Sequence, residues 1–139
     1  MSTSHKQVFS FHQEFSDAIL GRIGETQTIT DENLVALYTL YKDVLLDALR
    51  LIDNNAIKKM VCPSKRKLYQ IADPEADEPV LYEYCTCSAF LREVVIYKRN
   101  TLCKHLLAIR LSEALGTCSE VAISDKEFVD ILCARHMIR

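Results

Sequence analysis

The sequence predicts an α+β fold: helices in the N-terminal part, a small antiparallel β-sheet that carries a Cys-x-Cys pair, and C-terminal helices of which the first opens on Cys-x-His. Three observations lead there. Apolar residues recur at helical spacing over residues 6–52; short β-prone runs bounded by Pro, Asp and Asn follow between 56 and 85; and helical spacing returns after residue 103. With 139 residues, 49% hydrophobic and 26% charged, the chain is long enough for one domain with a real core, 1–139, and shows neither a repeat nor a linker that would divide it. Within it, 6–52 is expected to be helical, 56–115 to hold the sheet and the cysteine-rich site, and 124–139 to form a last helix.

Taken in order, Phe11, Phe15 and Ile19 lie four residues apart in a segment that also holds Val8, Phe9 and Leu20, which predicts a helix from 6 to 22 ending near Gly21 or Gly24. From Leu34 to Ile52, 14 of 19 residues are apolar, and Thr39, Asp43, Asp47 and Arg50 make one narrow polar stripe. A helix so apolar is either central to the fold or partly reserved for another protein. Leu34, Leu37, Tyr38, Tyr41 and Leu45 are the candidate contacts, with Thr30 or Asp31 as N-cap.

After Asp53-Asn54-Asn55 the runs Ala56–Cys62, Leu68–Ala72 and Val80–Cys85 read as strands, separated by Pro63-Ser64 and Asp73-Pro74-Glu75. Leu107, Leu111 and Leu115 then mark a helix that Gly116 would end in the left-handed conformation. Ser124 and Glu127 form a capping box for the last helix, whose buried side would be Phe128, Ile131 and Leu132.

The chemistry lies in Cys85-Thr86-Cys87 and, after fifteen intervening residues, Cys103-Lys104-His105. Three thiolates and one imidazole satisfy a closed tetrahedral zinc site. On a strand, Cys85 and Cys87 would share one face while Val80, Tyr82 and Tyr84 share the other. Residues two apart on a helix point to nearly opposite sides, so Cys103 should precede the helix and His105 sit in its first turn. There the helix dipole also favours a thiolate.

A Cys/His enzyme, with Cys103 or Cys85 as nucleophile and His105 as base, leaves the pairing of the cysteines without a reason. A site filled by four protein ligands has no position for water or substrate, so a structural ion and no enzymatic activity are expected. Cys62, Cys118 and Cys133 read as small apolar residues, and His5, His12 and His136 as surface residues.

The pattern C-x-C, a spacer, then C-x-H opening a helix resembles the SWIM zinc-finger family, with Cys103-Lys104-His105-Leu106-Leu107-Ala108 as its most characteristic block. Ser88 departs from it, standing where many SWIM sequences carry Pro, while Ala89 and Phe90 fit. The resemblance implies one zinc held by Cys85, Cys87, Cys103 and His105. The size and layout further resemble the SWIM subunits of Shu-type complexes. That implies a nuclear, non-enzymatic accessory factor of homologous recombination, paired with a RecA-like recombinase paralogue and reaching single-stranded DNA through the complex, with no small-molecule substrate.

A net charge of -2 disfavours the isolated chain as a dominant nucleic-acid binder. Lys58, Lys59, Lys65, Arg66 and Lys67 around the expected hairpin, with Lys98 and Arg99 near the second cysteine pair, are nonetheless the candidate phosphate contacts of an autonomous nucleic-acid-binding finger. A solvated turn neutralised by Asp73, Glu75, Asp77 and Glu78 is the plainer reading. Lys42, Asp43 and Asp47 interrupt the longest apolar segment, and the first 20 residues show no basic-then-apolar leader, so no membrane span and a cytosolic or nuclear protein are expected.

Overall fold

The computed structural model describes residues 2–76 and 78–137. Asp77 and the last two residues of the expected 124–139 helix lie outside the described residues, as do the side chains of His5, Val8, Phe9 and His136.

Helix α1 spans Ser2–Thr26 and passes through both Gly21 and Gly24. It stops at Gln27, whose backbone takes φ 56. Its buried stripe is Ser16, Ile19, Leu20 and Ile23, spaced i, i+3, i+4, i+7. Phe11 and Phe15, expected on that stripe, are instead 68% and 44% exposed and stack on each other outside it.

The expected 34–52 helix is two helices, α2 (Asp31–Tyr41) and α3 (Asp43–Asp53), broken at Lys42 with φ 54 and ψ -129. The break resolves the excess of apolar residues: each half buries its own face, Leu37 and Tyr41 in α2, Leu45 and Ala48 in α3. Thr30 caps α2 by accepting from the Asn33 N–H at 3.2 Å.

Strands β1 (Ile57–Val61) and β2 (Lys67–Ile71) form an antiparallel hairpin in which Ile57 faces Ile71, Lys59 faces Tyr69 and Met60 faces Leu68. The third strand is not 80–85. Val80 makes a single bridge to Tyr69, then Leu81 bridges Tyr84 across a tight turn, because Pro79 cannot donate to a ladder and Tyr82-Glu83 reverse the chain. The third strand is β3, Ser119–Ala122, which pairs in parallel with β1 and makes the sheet mixed, in the order β2-β1-β3. Cys85 and Cys87 therefore lie on irregular backbone beyond the 81–84 turn.

A π-helix, Phe90–Ile96, leads towards helix α4, Lys104–Leu115. The most central helix is α4, where Leu106, Leu107, Ala108, Ile109 and Leu111 are fully buried among α1, α3 and one face of the sheet. Gly116 ends α4 at φ 70, and a Cβ there would stand 3.1 Å from the Gln27 side chain. Helix α5, Asp125–Met137, covers the opposite face, packing Phe128 against Met60, Cys62 and Leu68. The architecture is α+β. No helix among the described residues is long and apolar enough to cross a membrane.

Candidate metal centre

Three segments of the chain meet at the N-terminus of α4. The 81–84 turn delivers Cys85 and Cys87, and Cys103 stands at the N-cap position of α4 with extended backbone. His105 sits in the first turn, as its spacing from Cys103 requires. The end of β2 delivers Asp73, whose N–H donates back to the Ile71 carbonyl at 2.9 Å.

The three sulfurs and a ring nitrogen of His105 all lie within 4.8 Å of one another, and all four residues are buried. With zinc–sulfur bonds of about 2.3 Å, the edges of a ligand tetrahedron measure about 3.8 Å, so these atoms can close on one ion by small side-chain adjustments. Cys85 Sγ is already 3.6 Å from His105 Nδ1. The other ring nitrogen, Nε2, lies 2.6 Å from Asp73 Oδ2. A proton on Nε2 donated to that carboxylate leaves the Nδ1 lone pair aimed at the sulfurs, the carboxylate–histidine arrangement that orients metal-ligating imidazoles. The Phe90 N–H donates to Cys87 Sγ at 3.3 Å and supports a thiolate there. Lys104 closes the outer side with ion pairs of 3.4 Å to Asp73 and 3.3 Å to Glu75.

The electrostatics favour a cation. Hydrogen bonds from Cys103 and Cys85 hold the Cys87 thiol far below its usual range, whereas the same neighbourhood of Cys85 and Cys87, with burial, pushes Cys103 far up. Burial works against a charged His105, yet hydrogen bonds with Cys85, Cys87 and Asp73 outweigh it and raise the imidazole to about 10. A divalent cation would let all three sulfurs ionise against a neutral imidazole. The donor set, the enclosure and the outer carboxylate all fit zinc.

The comparisons agree in kind. Human zinc finger SWIM domain-containing protein 7 is 33% identical to this chain over 123 residues, covering 86% of this chain and 88% of the human protein. The chain belongs to that SWIM zinc-finger family. Its zebrafish member is 33% identical over 111 residues, covering 78% and 79% of the two chains. The family's Dictyostelium discoideum homolog is 28% identical over 108 residues, covering 75% and 69%. No protein-family model and no solved structure matches the chain.

The other candidates separate. Lys59 does not lie with the exposed lysines: it is largely buried on the α4 face of the sheet, where Nζ is 2.9 Å from Glu113, which also accepts from the Tyr69 hydroxyl at 2.9 Å. Arg99 binds Glu93 at 2.7 Å and lies over the Tyr97 ring, while Lys58, Lys65, Arg66, Lys67 and Lys98 are exposed. Of the five apolar contacts expected on 34–52, Leu37, Tyr41 and Leu45 belong to the core, since α2 and α3 turn them towards α1 and α4; Leu34 and Tyr38 remain at the surface. Cys62 is buried and Cys118 half-buried, but Cys133 is exposed.

Sequence reasoning missed two features of the centre. Asp73, read as a loop acid, touches His105 across 32 positions, and only folding makes that visible. His12 is not a surface residue: its ring bonds the Leu40 carbonyl at 3.1 Å and Thr101 at 3.2 Å, and Thr101 also meets the Tyr41 hydroxyl at 2.8 Å. This network ties α1 and α2 to the loop that carries Cys103.

Proposed function

We propose that Cys85, Cys87, Cys103 and His105 hold one structural zinc ion, and that the chain is a non-enzymatic scaffold subunit of a Shu-type complex. In this reading it pairs with a RecA-like recombinase paralogue in the nucleus and promotes assembly of the recombinase on single-stranded DNA during homologous recombination repair.

The observation that carries the reading is the closed, buried Cys3His corner in a chain of this family. When bound there, zinc supplies neutralising charge and a cross-link between the 81–87 segment and α4. The protein residues fill all four positions, which leaves no open coordination site for chemistry on a substrate. Val35 and Tyr38 on α2 stay 65% and 41% exposed, and Leu91 and Ile96 on the π-helix 56% and 58%, apolar side chains available to a protein partner.

The test is affinity purification of the tagged chain from its own cells beside His105→Ala, with zinc content and mass spectrometry of co-purifying proteins. Expected are one zinc per chain and a RecA-like ATPase, both lost in the variant. Full zinc with no such ATPase would overturn the scaffold reading. A chain without zinc would overturn the metal assignment.

A further inference from the structure

The β1–β2 hairpin turn and the 81–84 turn border an open cleft of about 570 Å³ away from the metal centre. Lys65, Arg66 and Lys67 form one wall, and Tyr82 and Tyr84 stand on the other with Glu83 between them. We infer that this cleft binds a single strand of DNA, the three cations holding phosphates and the two tyrosines stacking on bases. The inference deepens the proposed function by naming the surface on which this chain would meet the strand.

Two observations converge on it. First, all three basic side chains are exposed, and the ion pairs that take up Lys59, Lys104 and Arg99 elsewhere do not involve them. Glu83 is the one carboxylate lining the cleft among the described residues, and Asp125 acts on Arg66 from beside it, which leaves the three cations in excess of the two carboxylates. Asp125, close by, is engaged with the Ser64 N–H at 3.2 Å and the Ser64 hydroxyl at 2.9 Å.

Second, Tyr82 and Tyr84, which line the cleft, are 43% and 46% exposed. The Arg110 guanidinium lies 4.4 Å from the centre of the Tyr82 ring, and Phe90 meets Tyr84 edge-on at 5.5 Å. Both rings are thus braced from within, so a base can stack without first ordering them. Aromatic stacking on unpaired bases is worth about 1–3 kcal/mol per base, and it is unavailable to a duplex.

The whole chain carries net charge -2, so long-range attraction is absent and binding must be local and steeply salt-dependent. Other exposed cations, Lys58 and Lys98, do not line the cleft.

The experiment measures fluorescence anisotropy of a labelled oligothymidylate with the full chain, starting at about 20 mM salt, where phosphate contacts are strongest. Saturable binding is expected. The triple variant Lys65→Ala, Arg66→Ala, Lys67→Ala should bind at least about tenfold more weakly, with a salt slope smaller by about 2, as three lost contacts to a single strand require. Tyr84→Ala should lose about fivefold or more, and Tyr84→Phe should retain binding because the ring does the stacking. Lys98→Ala should bind as the parent does.

No saturable binding at low salt would overturn the inference. So would binding that survives both the triple variant and Tyr84→Ala, or equal binding of a duplex or of polyglutamate. Partner recovery, measured on the same triple variant, separates this inference from the scaffold reading. A parent chain that binds the oligonucleotide but recovers no recombinase paralogue leaves the cleft standing and removes the scaffold.

Discussion

Helices α4 and α5 are nearly equal in length and lie on opposite faces of the same small sheet, yet they are held in different ways. α5 begins with a reciprocal capping box, Ser124 N–H to Glu127 at 3.1 Å and Glu127 N–H to Ser124 Oγ at 3.0 Å, and anchors itself through Phe128. α4 has no side-chain cap: Cys103 stands at the N-cap, but its sulfur turns to the metal centre. Seven of its twelve residues, His105 included, are buried. A helix that is fastened by a four-ligand corner and a core on all sides does without local capping; a helix that merely covers a sheet depends on it.

Removing a ligand should break this contrast most severely. Structural zinc in small domains contributes apparent binding energies on the order of 10 kcal/mol, comparable with the whole stability of a domain. Cys103→Ser, or a strong chelator, is therefore expected to abolish cooperative thermal unfolding and release the metal. A variant that loses its zinc yet keeps its melting transition would show that α4 is held by packing alone.

Core truncation comes next. Leu107→Ala should cost about 2–5 kcal/mol and lower the global melting temperature. Phe128→Ala empties the smaller cluster under α5, and hydrogen exchange should show protection lost in α5 while α4 keeps its own. Equal loss in both helices would show that the two faces of the sheet unfold as one unit.

Asp73→Asn keeps the shape of the side chain but weakens the hold on His105 Nε2. Zinc affinity should fall about 10- to 100-fold, read by competition with a chromophoric chelator, with the fold retained. Ser124→Ala is the mildest change. It removes one half of the capping box and should lower the denaturant midpoint by an amount equivalent to about 1 kcal/mol, with zinc content unchanged.

Much of this comparison is legible in the residues themselves. Thr30, Gly116 and the Ser124/Glu127 box act within a turn of their own position, so their signals are local and the structure places each where its chemistry requires. The spacing of Cys103 and His105 fits only a cysteine before a helix and a histidine inside it, and that is how α4 begins.

Two of the misreadings turn on contacts between distant parts of the chain. Lys42 has no sequence mark of its left-handed conformation; the break arises because Leu37 and Tyr41 must face α1 while Leu45 and Ala48 face α4. Val80–Cys85 carries more β-prone residues than Ser119–Ala122, but β1 offers its free edge to the latter.

The sequence by itself determined the caps at Thr30, Gly116 and Ser124, the α+β class and the set of four ligand-type side chains, because capping, periodicity and ligand chemistry depend on residues a few positions apart. The tertiary structure alone decided which strand completes the sheet, which apolar residues remain at the surface and which carboxylate orients His105. Each of those depends on surfaces that meet only after the chain has closed loops of tens of residues, and no local preference of the backbone encodes such a meeting.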